Sequence, residues 1–336
     1  MLKLKAKMFD EAGKSHASKN LFTQIVIFLL VFFIIYLLES IVPSLVTVPK
    51  MMEELNSDSE IMNGSKKLTW SESMSMATRI AGKPEVMIPT LLSTIFGTLG
   101  SIFYCRCIEM RPVSSMGMRK RKMGSHYLLG LGVGLLMMTA ITMLTVETGS
   151  NTIRLCSSIN WKIIALFFLG FFVQGMSEEF IFRGYLMTTI GGSNNKWLAV
   201  IISSVAFGMA HIANPGISVL AMINLILFGV FAALYMIYFD DIWGGCAIHS
   251  IWNFTQGNIY GISVSGSADS ESVFRTSAKS SHAFLTGGKF GIEGSIFTTV
   301  VLAAGTCIVI YLMMKKEAQE VTEKTDEVLS ETAEKK

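Results

Sequence analysis

The amino-acid sequence predicts an all-α, polytopic membrane bundle of about eight transmembrane helices. The 336-residue chain is 51% hydrophobic and 16% charged, whereas soluble domains carry roughly 25% charged residues. Its apolar residues fall into stretches of about 20, the length that crosses a bilayer as a helix. Lysine and arginine collect between these stretches rather than inside them. Together these features indicate a multi-pass protein that lies in the lipid bilayer.

Eight apolar stretches predict the membrane spans. They cover residues 21–42, 86–104, 127–145, 161–187, 198–212, 217–239, 242–260 and 295–314. The first stretch is too long for the apolar core of a typical signal peptide, and no clear cleavage site follows it. We therefore expect the first stretch to remain as an uncleaved span.

Basic residues in the loops predict the orientation of the bundle. The loop between spans two and three holds six of them, namely Arg106, Arg111, Arg119, Lys120, Arg121 and Lys122. We expect this loop to be cytoplasmic. Eight spans then place both termini in the cytoplasm, in a protein of the plasma membrane, and the basic N-terminus and Lys315–Lys316 agree with this placement.

The spans divide the chain into a few regions. Residues 1–20 form a basic cytoplasmic N-terminus, and residues 21–314 form a single membrane-embedded domain. Within it, the Gly- and Ser-rich segment 261–293 is expected to be an external loop. The charged tail 315–336 cannot bury an apolar face, so it is either a solvated helix or disordered. The net charge is only +3 and no segment resembles a nucleic-acid-binding motif, so we expect no nucleic-acid partner.

Six polar residues interrupt three of the apolar stretches and point to a function. They are Glu178, Glu179, Arg183, His211, His249 and Asn253. An ionisable group in a membrane span is costly, so it usually faces the protein interior or a water-filled cavity and has a role there. Two carboxylates, two imidazoles, an amide and a guanidinium are the groups from which a hydrolytic site is built.

Helical spacing divides the work between the two carboxylates. Glu179 and Arg183 are four residues apart, with the acid nearer the N-terminus, which is the favourable order for an ion pair on one helix face. Glu178 lies about 100° around the helix from Glu179. We therefore interpret Glu179 as a brace for Arg183, and Glu178 as the carboxylate that faces a cavity. There it can act as a base toward water.

The two histidines also have a partner on their own helix face. Phe207 and His211 are four residues apart, as are His249 and Asn253. An imidazole and an amide on one face can both donate hydrogen bonds to one oxygen, an arrangement that can serve as an oxyanion hole. A purely structural role for each residue, as a hydrogen-bond partner between helices, is the alternative.

These motifs together resemble those of the CPBP intramembrane proteases. The pattern Glu-Glu-x-x-x-Arg is followed by Phe-x-x-x-His and then His-x-x-x-Asn, in the family's order and within residues 160–257. The family includes CAAX-prenyl endopeptidases and bacteriocin-processing or Abi-like immunity proteins. The resemblance implies an intramembrane endopeptidase that acts on a peptide or membrane-protein substrate.

The resemblance also implies roles for the site residues. Glu178 would activate a water with help from His211, and His249 and Asn253 would stabilise the oxyanion of the tetrahedral intermediate. The family is called a metalloprotease family, so the cofactor stays open. Glu178, His211 and His249 could hold zinc with one position left for water, or the glutamate could act without a metal.

Two other functions and one geometric conflict remain open at the level of the sequence. The scaffold could serve a non-catalytic membrane regulator or immunity protein with a membrane signalling partner. A proton-coupled transporter is less well supported, because no inverted repeat is evident. The predicted spans also place Glu178 near the inner membrane face and His211 nearer the outer one. Either span four reaches past residue 187, or residues 194–197 are displaced into the bilayer.

Overall fold

A computed structural model of the chain confirms an all-α membrane bundle. It describes residues 2, 4–16, 18–58, 62–63, 65, 67–267, 271–279 and 281–334. The predicted terminal segments and the Gly- and Ser-rich loop each include a few residues outside these ranges. Six of the described helices are long and apolar enough to cross a membrane.

Thirteen helices and two strands are used below. The helices are α1 (Lys7–Ala12), α2 (Leu21–Ser57), α3 (Trp70–Ala81), α4 (Pro84–Ser93), α5 (Ile95–Phe103), α6 (Met123–Glu147), α7 (Trp161–Glu179), α8 (Thr188–Ser193), α9 (Lys196–Ala210), α10 (Val219–Phe239), α11 (Trp243–Phe254), α12 (Ala283–Thr286) and α13 (Ile296–Glu334). The strands are β1 (Asn151–Leu155) and β2 (Phe274–Ala278). Turns of π-helix extend α5 over Tyr104–Ile108, α7 over Phe180–Met187 and α11 over Thr255–Ile259.

The prediction of eight full spans is wrong in its count and in several boundaries. The six described spans are Leu21–Ser57, Pro84–Ile108, Met123–Glu147, Trp161–Ser193, Val219–Phe239 and Ile296–Glu323. Predicted spans five and seven are helices, but α9 has 15 residues and α11 only 12 before its π-turn. Helices this short persist in an apolar bundle because neighbouring protein, rather than lipid, surrounds their ends.

Residues near both termini lie on one face of the bundle, here named the terminal face. Lys5 Nζ lies 3.1 Å from Glu320 Oε2, which joins the start of the chain to α13. The backbone N–H of Met8 in α1 donates to Asp240 Oδ1, at the turn between α10 and α11. Arg119 pairs with Glu11 of α1 at 3.1 Å. Helix α1 is therefore packed against the loops of this face.

The opposite face, here named the loop face, has more structure than the sequence predicted. Strands β1 and β2 pair antiparallel, with Asn151 opposite Ala278 and Leu155 opposite Phe274. The predicted external loop 261–293 therefore contains a strand, and it also contains α12 and two short 3₁₀ turns. Its glycines and serines permit the tight turns that connect these pieces.

Glycines set the distance between α6 and α11. A Cβ on Gly130 would lie 2.4 Å from the carbonyl oxygen of Gly244, and a Cβ on Gly134 would lie 2.7 Å from that of Ile248. Small residues let membrane helices approach to backbone contact, where van der Waals packing replaces the missing hydrophobic driving force. This close contact holds α11, which carries His249 and Asn253, in place.

We predict that Gly134→Ala destabilises the bundle by about 1–3 kcal/mol, because the new methyl group meets the backbone of α11. Gly132 is the matched control, since it lies in the same helix and a Cβ there meets nothing within 4 Å. Gly132→Ala should leave stability unchanged or raise it. Thermal unfolding in detergent measures both. Equal stability of the two variants would contradict the close contact.

Candidate active site

Glu178 lies at the end of α7, where the regular helix passes into the π-helical segment Phe180–Met187. Its side chain is 22% exposed, and its Oε1 accepts a hydrogen bond from Gln174 Nε2. Its Oε2 is buried and has no hydrogen-bond partner within the described residues. It lies 3.6 Å from His249 Nε2. One carboxylate oxygen is thus anchored and the other is available as a proton acceptor.

The apparent conflict in depth between Glu178 and His211 is removed by the true length of the helix. The helix begins at Trp161, as predicted, but continues through the π-segment to Ser193. Glu178 lies 15 residues before Ser193, and His211 lies 15 residues after Lys196, across the turn at 194–195. At about 1.5 Å per residue, both are roughly 22 Å from that turn. They therefore meet at the same depth.

Glu179 has two partners rather than the one that its spacing predicts. Its Oε1 lies 3.2 Å from Arg183 Nη1, which confirms the predicted ion pair on one helix face. The same oxygen accepts a hydrogen bond of 2.9 Å from His249 Nδ1 on α11. Glu179 and Arg183 are 1% and 0% exposed. The carboxylate therefore also sets the orientation of the imidazole.

Phe207 packs against the charged groups from α9. The carbon of the Arg183 guanidinium lies 4.5 Å from the centre of the Phe207 ring, a distance at which a cation is attracted to an aromatic face. The carbonyl oxygen of Phe207 accepts a hydrogen bond of 2.9 Å from His211 Nδ1. Because Nδ1 carries the proton for this bond, Nε2 of His211 is left as an acceptor.

Asn253 is joined to Glu178 through a side chain that sequence reasoning missed. Asn253 Nδ2 donates to Gln174 Oε1 at 2.8 Å, and Gln174 Nε2 donates to Glu178 Oε1. The amide of Asn253 has two N–H groups, so one remains for a substrate oxygen. The signal for Gln174 was present in the sequence, since Gln174 and Glu178 are four residues apart on one face of α7.

A cavity of about 190 Å³ brings the predicted residues together. Its walls include Glu178, Phe207, His211, His249 and Asn253, while Glu179 and Arg183 lie behind them. Residues from α4, α10 and the loop face complete the walls. The three motifs therefore converge on one space inside the bundle, as the spacing argument expected.

Two further polar residues of the cavity were not singled out from the sequence. Asn224 of α10 donates to the carbonyl oxygens of Glu293 and Ser295, and accepts from Thr299 of α13. Glu293 Oε2 accepts from the backbone N–H and the hydroxyl of Ser265. Both residues tie the loop face over the cavity. Neither has a partner at helical spacing, so periodicity could not identify them.

The arrangement does not fit the three-ligand zinc site considered from the sequence. Across the described ranges, no three His, Cys, Asp or Glu side chains are grouped as metal ligands. Nδ1 of His211 is used by a backbone carbonyl and Nδ1 of His249 by Glu179. Glu178 and His249 approach each other through Oε2 and Nε2. The site is accordingly interpreted through its protein groups.

Comparison with known proteins supports the resemblance seen in the motifs. The family described as Type II CAAX prenyl endopeptidase Rce1-like matches residues 160–255. This match confirms the resemblance to the CPBP family over the segment that carries all three motifs. No curated protein and no solved structure matches the chain.

We predict that Arg183→Leu lowers the free energy of unfolding by about 3–5 kcal/mol, because it leaves the Glu179 carboxylate buried without its cation. The double variant Glu179→Gln/Arg183→Leu removes both charges and should lose less. Arg121→Leu, on the exposed terminal face, is the control and should change stability by less than about 0.5 kcal/mol. Unfolding in mixed detergent micelles compares the three. A double variant that is as unstable as Arg183→Leu would show that the ion pair is not the cause.

Proposed function

We propose that this chain is an intramembrane endopeptidase in which Glu178 activates the attacking water. The observation that carries the proposal is the unpartnered Oε2 of Glu178, which lies in the cavity with His211, His249 and Asn253 around it. A buried carboxylate oxygen without a partner is costly in a protein interior. A site that binds water and a substrate carbonyl gives that oxygen a role.

The reaction begins with proton transfer. Glu178 Oε2 takes a proton from a water molecule, and the water oxygen bonds to the carbonyl carbon of the scissile peptide. His211, with Nε2 as acceptor, orients the water beside the carboxylate. General-base catalysis of this kind contributes about 10²–10⁴ in rate.

The tetrahedral intermediate carries its negative charge on the former carbonyl oxygen. The free N–H of Asn253 can donate to it, and so can Nε2 of His249 in the doubly protonated imidazolium form, since Nδ1 is engaged by Glu179. When the C–N bond breaks, the proton held by Glu178 passes to the leaving nitrogen. The products are a carboxylic acid and an amine, and Glu178 returns to its starting form.

The substrate class follows from where the cavity lies. The cavity is within the span-forming helices, and its lining includes apolar residues such as Met87, Leu91 and Phe228. A peptide segment that enters from the bilayer or its surface is therefore the expected substrate. The proposed substrates are the C-terminal region of a lipidated protein or a small membrane-associated peptide.

We predict that Glu178→Gln abolishes peptide cleavage, with a loss of at least about 10²-fold, because an amide cannot accept the proton of water. The matched control is Glu147→Gln, the same change at the exposed end of α6. Peptides from membranes that contain the wild type, the variant or the control are compared by mass spectrometry. Wild-type cleavage in the Glu178→Gln sample would overturn the proposed role.

We predict that Asn253→Ala lowers kcat by about 10²–10³-fold with a smaller change in KM, since the lost hydrogen bond serves the transition state. Single-turnover cleavage by protein in liposomes measures this. Thermal stability measured on the same sample separates a lost donor from misfolding. An unchanged kcat would remove Asn253 from the oxyanion site.

A non-catalytic regulator or immunity protein with a membrane signalling partner is the second candidate function. The Glu178→Gln variant separates it from the protease, because the variant keeps the shape of the scaffold. A regulator would retain its biological effect with this variant, whereas an endopeptidase would lose it.

A further inference from the structure

Two arginines lie directly opposite each other in the sheet of the loop face. Arg154 of β1 pairs with Arg275 of β2 in the antiparallel register. Side chains directly opposite in such a pair project from the same face of the sheet, and like charges in this position are destabilising. Neither arginine forms an ion pair with a carboxylate in the part of the chain that the structure describes. The repulsion is therefore not offset locally.

Both arginines line a second cavity, of about 1280 Å³, on the loop face. Two more cations line it, Arg79 and Lys83, of which Arg79 is paired with Glu54. Glu271 is the one acid among the lining residues, so positive charge is in excess. Side-chain hydroxyls, including those of Ser157 and Ser277, supply further hydrogen-bond donors. Paired guanidinium groups beside hydroxyls are suited to binding carboxylates.

This cavity lies above the candidate active site along the same two helices. Lys83 and Asn160 precede α4 and α7 and line the loop-face cavity, while Leu91 and Glu178 line the inner one on those helices. An apolar cluster that includes Leu91, Phe167 and Phe171 lies between the two levels. Asn160 and Glu178 are 18 residues apart, or about 27 Å along the helix. About eight residues of extended peptide span that distance.

We propose that Arg154 and Arg275 form a docking site for acidic side chains of the peptide substrate. The choice of a peptide rests on the proposed endopeptidase function. A carboxylate bound between the arginines lies about eight extended residues from the scissile bond. The site thus adds a charge preference to a protease whose inner cavity is largely apolar.

The test is a binding measurement that does not require hydrolysis. The full chain is placed in nanodiscs of zwitterionic phosphatidylcholine, and fluorescence anisotropy follows a labelled (Glu-Gly-Ser)₄ peptide and its (Gln-Gly-Ser)₄ counterpart. The wild type should prefer the acidic peptide by at least about tenfold, and the preference should weaken with salt. Arg154→Gln/Arg275→Gln should bring the ratio close to one.

Lys279→Gln is the matched control, because it removes one positive charge just beyond β2 from a residue outside the cavity lining. It should leave the ratio unchanged. The double variant should unfold at the same temperature as the wild type or higher, since it relieves like-charge repulsion. An unchanged ratio in the double variant would overturn the proposal.

Native mass spectrometry distinguishes a peptide site from a lipid site. Retention of phosphatidylglycerol that depends on both arginines, with peptide affinity unaltered by their substitution, would assign them to lipid headgroups and overturn the peptide site. Acidic-peptide binding by a wild-type protein that cleaves no peptide would instead refute the proposed endopeptidase and leave the docking site standing.

Discussion

The rest of the structure depends on the ion pair between Glu179 and Arg183. Both side chains are almost fully buried in an apolar bundle, where an unpaired charge costs several kcal/mol. Their pairing fixes the end of α7 and places Phe207 of α9 against the guanidinium. The same carboxylate holds His249 of α11. Three helices are thus joined at one buried charge pair, and each of them carries a residue proposed to act in hydrolysis.

Around this pair, the backbone brings the proposed site together. The π-helical turns after Glu179 carry the helix to Ser193, so that Glu178 and His211 come to the same depth. π-Helical turns are rare and frequently found at functional sites. The glycines of α6 then allow α11 to pack closely, which sets His249 and Asn253 against α7. Local backbone geometry and small residues together decide where the polar groups meet.

The two cavities suggest how such a site would select a peptide in a membrane. The inner cavity holds few polar groups, and most of these are engaged with each other, which leaves Glu178 Oε2 and one N–H of Asn253 for substrate. The loop-face cavity is wide and carries excess positive charge. Chemistry and charge selection are therefore separated along α4 and α7, with an apolar cluster between them.

Much of the fold and of the proposed site follows from the sequence alone. Composition and apolar stretches determined an all-α membrane bundle, and the four-residue spacings determined the Glu179–Arg183 pair, because helical periodicity is local. The true length of the fourth span, the Gln174 bridge to Asn253, the hold of Glu179 on His249 and the pairing of Arg154 with Arg275 were decided by the tertiary structure. Each of these depends on which distant elements pack together, and spacing within one helix carries no such information.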